Sequence, residues 1–85
     1  MKVILIDWED ATNDPGDVAE EEAGTIRPRI MRSCGWLVRE TDEHVQFAWE
    51  YDQENREWRG VQTVPRGMIR RIKILKEEKI IEYSE

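Results

Sequence analysis

The sequence has little of what builds covalent or metal-held scaffolds. Its 85 residues include one cysteine, Cys34, and one histidine, His44. A disulfide within the chain is excluded, and so is a zinc site of the cysteine/histidine kind. Long apolar runs are missing as well. The longest, Val3-Ile4-Leu5-Ile6, falls far short of the ~20 residues that span a bilayer. That brevity, with Asp7 directly behind it, also argues against a secretory leader. A free thiol without an export signal leads us to expect a cytoplasmic protein with no membrane partner.

Length sets the next bound. A chain of 85 residues is one small domain, so an enzyme with a cleft between two domains is excluded. Domains of this size bury a small core and often gain stability from disulfides, metals or association. With the first two absent, association is the remaining source of burial, and we expect a homo-oligomer.

Catalytic constellations are also scarce. Cys34 and His44 are the one candidate dyad, and nothing in the sequence orients the histidine. Gly60 and Gly67 stand alone, so no phosphate-cradling glycine loop appears and no cofactor is expected. The carboxylates cluster in loops, where solvation is the default. The sequence therefore reads as a non-enzymatic protein.

Charge is what the chain has in quantity: 38% of residues are charged and the net charge is −6. It is segregated. Residues 1–24 hold eight acids and one base, 25–39 four arginines, and 40–57 seven acids and one base. Residues 58–76 hold six bases and no acid, and 77–85 four acids and one base. An acidic total opposes nonspecific duplex binding, which needs many phosphate contacts. Two basic blocks still leave room for one shared anion site.

Five short strands with turn signals between them point to an all-β fold, a small, strongly bent five-stranded barrel. Lys2 to Trp8 reads as the first strand. Pro15-Gly16, after Asn13-Asp14, fits the centre of a type II turn. An acidic insert over residues 9–24 follows the first strand, either a loop or a two-turn helix with Asp17 as N-cap and Gly24 as stop. Thr25 to Glu40 reads as a long strand, with Pro28 at its edge or ahead of its ladder and a bulge or bend at Gly35. From His44 to Tyr51 alternation places Val45, Phe47, Trp49 and Tyr51 on one face. Val61–Val64 and Met68–Leu75 complete the set. Alternation in the last sends Arg70 and Arg71 to opposite faces, so at most one joins Arg66 at a shared pocket. Trp36 and Trp49 fit core or subunit contacts, whereas Trp58, in a polar loop, is placed to meet a ligand or partner. Residues 1–75 are expected to form a single domain and 76–85 a charged tail.

Two stretches resemble the Sm-like superfamily, which includes the bacterial host-factor RNA chaperones. The first is Gly35-Trp36-Leu37 followed by Asp42-Glu43-His44-Val45. The second is Val64-Pro65-Arg66-Gly67-Met68-Ile69-Arg70-Arg71-Ile72. The similarity covers about residues 34–75, and the overall pattern also resembles small uncharacterised phage proteins. It implies an SH3-like small barrel whose subunits pair edge to edge into a ring. It further implies that His44 stacks on a base while Arg66 and Gly67 contact base or phosphate.

The expected function is capture of a nucleotide or short RNA near subunit interfaces, with His44, Arg66, Gly67, Arg70, Arg71 and Trp58 as binding residues. In a phage setting this would sequester a host nucleotide signal. The alternative is an acidic protein-interaction module, a nucleic-acid mimic that occupies a basic host partner.

Overall fold

The computed structural model describes residues 1–11, 15–76 and 81–83. Its strands are β1 (Val3–Asp10), β2 (Arg29–Glu40), β3 (His44–Ala48), β4 (Glu50–Asp52), β5 (Glu57–Arg59), β6 (Gln62–Pro65) and β7 (Ile69–Leu75). One antiparallel sheet has the order β6-β3-β2-β1-β7, and β4 pairs with β5 in a separate hairpin. Among the described residues no helix is long and apolar enough to cross a membrane.

Alternation in β1 sets the core. Ile4, Ile6 and Trp8 point inward and are buried, while Val3, Leu5, Asp7 and Glu9 between them are partly exposed. The inward residues cluster with Val45 and Phe47 of β3 and Val64 of β6. β2 lies between β1 and β3 in the sheet, so this cluster requires the sheet to curl around it. Leu37, Met68, Ile69 and Ile72 close the margin of the core. Trp8 keeps its indole N–H satisfied by donating to Ser33 Oγ at 3.1 Å, as a buried polar group must.

Of the bulge or bend expected at Gly35, the bulge is not found against β1. The β1–β2 ladder runs through it in register, Ile4 opposite Gly35. A Cβ there would sit 2.6 Å from the Ala48 carbonyl oxygen, so the glycine permits close approach of the backbone. The register shift in β2 falls later, between Leu37 and Arg39. Pro28 precedes β2, as a residue without an N–H should.

The acidic insert is shorter than expected, because Glu9 and Asp10 belong to β1 and pair with Ile30 and Arg29. Asn13 and Asp14 of the expected turn lie outside the described residues. The helix is a single turn, α1 (Glu20–Ala23), capped by Ala19 without a side-chain hydrogen bond. Three adjacent glutamates repel one another and bury nothing, which leaves no packing to extend it.

The expected strand His44–Tyr51 is interrupted. Val45 and Phe47 are buried as predicted, but the chain bends at Trp49 and that residue is 71% exposed. Trp49 N–H donates to the Arg59 carbonyl at 3.0 Å, next to the β4–β5 hairpin that replaces the expected polar loop.

Candidate binding site

Two turns that are distant in sequence meet in space. Thr41 organises the first: its hydroxyl accepts the N–H groups of Glu43 and His44 at 3.2 and 3.1 Å. The second is a 3₁₀ turn, Arg66–Met68, after Pro65. Arg66 N–H donates to the Glu43 carbonyl at 2.9 Å, and His44 lies directly opposite Pro65 in the β3–β6 ladder. His44 and Arg66 are thus brought to one corner of the fold.

The Arg66 side chain, however, is already engaged. Its Nε donates to the Thr41 carbonyl at 2.7 Å and its Nη2 to Glu40 Oε1 at 2.6 Å. This clasps the 3₁₀ turn to the end of β2. Gly67 has a negative φ, since Gly60 is the one described glycine in the left-handed region. A Cβ at Gly67 would meet nothing within 4 Å.

Arg70 and Arg71 do not alternate across the sheet. β1 and β7 pair Asp7 with Arg71 and Trp8 with Ile69, so Arg70 is an extra residue in β7. A bulge of this kind breaks the period of two and re-aims a side chain. Arg70 binds Glu9 at 2.6 Å and Arg71 lies 3.9 Å from Asp7. Asp7 and Glu9 share the outer face of β1, so both arginines reach that face. A cavity of about 360 Å³ has Arg66, Arg70 and Arg71 along its rim. Ile4, Leu37, Ile69, Ile72 and Ile74 also line it, with Glu40 beside Arg66.

Asp7 is the electrostatic centre of the outer face. Arg32 grips it with two bonds, Nε to Oδ1 at 2.7 Å and Nη2 to Oδ2 at 3.1 Å. The hydrogen bond from Arg32, with the nearby charges of Arg32 and Arg71, holds the Asp7 carboxyl below its ordinary pKa. Asp52 is lowered too, by the backbone and side-chain donors of Asn55 in the hairpin turn.

The sequence-predicted residues therefore divide. His44 faces a second, more polar cavity of about 530 Å³, shared with Arg39, Thr41, Asp42, Glu43 and Gln46. The His44 Nδ1 is buried and makes no hydrogen bond, and Arg39 has no ion pair among the described residues. Trp58 sits apart on the hairpin, half-buried and tilted against Tyr51 with ring centroids 4.7 Å apart. The exposed indole is instead that of Trp49. Cys34 pairs with Leu5 and His44 with Pro65, so the two stand on different ladders. Among the described residues no group of acids, histidine and cysteine is arranged to hold a metal ion.

Sequence reasoning did not single out Arg39, and it gave Trp49 to core or subunit contacts, whereas the indole is exposed. The signal for Trp49 was Gly60, whose role is plain only once it is seen beneath the indole.

No family model matches the chain, and no curated protein and no solved structure matches it. The Sm-like resemblance rests on its two short motifs.

Proposed function

We propose that the chain is a self-associating small β-barrel, non-enzymatic, which acts as an acidic protein-interaction module on a basic partner. The supporting observation is how its charges pair. Arg32, Arg66, Arg70 and Arg71 each face a carboxylate of the chain itself, in Asp7, Glu40 and Glu9. Four described acids of the insert beyond β1 do not. Asp17 and Glu20 to Glu22 are exposed and have no ion pair among the described residues. Four adjacent or near-adjacent acids thus stand together on one loop, and a partner need not displace an internal ion pair among the described residues to reach them.

Desolvating a paired arginine for a phosphate would require breaking its carboxylate contact first, which costs binding energy. Unpaired glutamates carry no such cost. They steer a basic surface toward the loop and lose effect as salt rises. The test is calorimetry with protamine as the basic probe. Heat of binding that fades between about 50 and about 200 mM salt supports the reading. No heat at the lower salt overturns it.

A second reading is favoured by one feature, the cavity that holds Arg39 and His44. There the cation is unpaired and the imidazole has a buried free nitrogen. A nucleotide or short RNA would place a phosphate on Arg39 and a base against His44 in a ring of subunits. Absorbance of the purified protein shifted toward 260 nm would favour this reading over the first.

A further inference from the structure

We infer that the segment Ile81-Glu82-Tyr83 of one copy docks as an added strand on the free edge of β7 in a second copy. This rests on the self-association in the reading above and names the contact that produces it.

Among the described residues, a strand edge and an apolar segment near it in sequence are both uncovered. β7 ends the sheet order, so one side of its backbone has no partner strand among the described residues. Ile74 is an inward-facing residue, opposite the fully buried Ile4, yet it is 53% exposed. The cavity beside it is lined by aliphatic side chains together with Arg66, Arg70, Arg71 and Glu40. A few residues on, Ile81 and Tyr83 are 62% and 89% exposed. An edge strand with unpaired backbone groups and an apolar margin invites another strand.

The patterns of the two segments match. Period two puts Ile81 and Tyr83 on one face of an extended segment and Glu82 on the other. β7 does likewise, with Ile72 and Ile74 inward and Arg71 and Lys73 outward. Laying Ile81 and Tyr83 beside Ile72 and Ile74 therefore sets Glu82 beside Lys73. Lys73 has no ion pair among the described residues. The apolar face and the charge are complementary in a single register.

The occupant is a second copy and not the same chain. Return of the segment onto its own β7 would need a tight turn within residues 76–80, Lys-Glu-Glu-Lys-Ile. That stretch has no glycine, proline, asparagine or aspartate, the residues that short hairpin turns use. Docking on another copy needs no turn. The other free edge, β6, has four residues and ends at Pro65, which has no N–H to donate. It is a poorer partner for β7 than an extended tail.

Light scattering on the full chain at tens of micromolar tests the inference. The expected mass is at least twice the 10.2 kDa of one chain. Ile81→Glu with Tyr83→Glu should give the single-chain mass, since neither residue belongs to the core. Lys73→Glu should weaken association about tenfold through a repulsive cross-strand pair, and adding Glu82→Lys should restore it. A single-chain mass for the unaltered protein would overturn self-association altogether. Association that survives the Ile81/Tyr83 changes, or that the charge swap does not restore, would overturn the tail docking alone.

Discussion

The indole of Trp49 lies against Gly60 so closely that a Cβ on Gly60 would stand 2.5 Å from Trp49 Cδ2. Gly60 also has φ of +67°, a conformation that costs other residues about 1–2 kcal/mol. Gly60→Ala should therefore destabilise the fold by about 2 kcal/mol or more, read as a lower urea midpoint. Trp49→Ala alone should cost under about 1 kcal/mol, because the side chain is largely exposed. In the double variant the clash disappears and the backbone cost remains, so the two effects should be less than additive.

Gly67 provides the contrast. Its surroundings are open and its φ is negative, so Gly67→Ala should be neutral or stabilising by about 0.4–1 kcal/mol. Gly35→Ala should destabilise by about 1–3 kcal/mol, since the added methyl meets the Ala48 backbone. Equal thermal midpoints for the two variants would contradict this.

The Asp7 pair predicts a pH dependence with a definite sign. Arg32 lowers the Asp7 pKa in the folded chain, whereas the unfolded chain titrates near the ordinary value of about 3.9. Between the two the unfolded state binds more protons, so stability rises with pH there. The contribution is complete above about pH 4 and is lost as pH falls through the lowered folded pKa. Asp7→Asn should lack this component. Urea midpoints measured between about pH 2 and about pH 7 should fall less steeply for the variant than for the unaltered chain.

Glu40 and Arg66 test the anion contact that the sequence assigns to Arg66, apart from the Arg39–His44 cavity. Both side chains are about half exposed, so breaking their pair with Glu40→Gln should change stability by at most about 1 kcal/mol. The variant also releases the arginine from its carboxylate. If nucleotides were the ligand at this arginine, their affinity would rise; on the acidic-surface account, calorimetry should show no nucleotide binding before or after the change.

Much of the sheet was legible in the sequence because burial follows a period of two. Val45 and Phe47 lie on the face that alternation assigned. The departures occur where one residue breaks the period. The bend at Trp49 turns an expected inward indole outward, and the extra residue Arg70 puts two neighbouring arginines on acids of one face. Neither is visible without the partner strand. The pairing of the arginines was hidden for the same reason. Arg66 is 26 residues from Glu40 and Arg70 is 61 from Glu9, and only the register of the sheet brings them together. The candidate site was legible in its residue types and not in their partners.

The most direct measurement of the central claim compares two charge-matched variants in binding protamine. Glu20, Glu21 and Glu22 changed together to glutamine remove three charges from the insert, and Glu43, Glu54 and Glu57 changed together remove three exposed charges elsewhere. With about 0.5 kcal/mol for each exposed charge contact, the first variant should bind about tenfold more weakly than the unaltered chain and the second nearly as well. Equal losses in the two variants, or no binding by the unaltered chain, would contradict a working surface on the acidic loop.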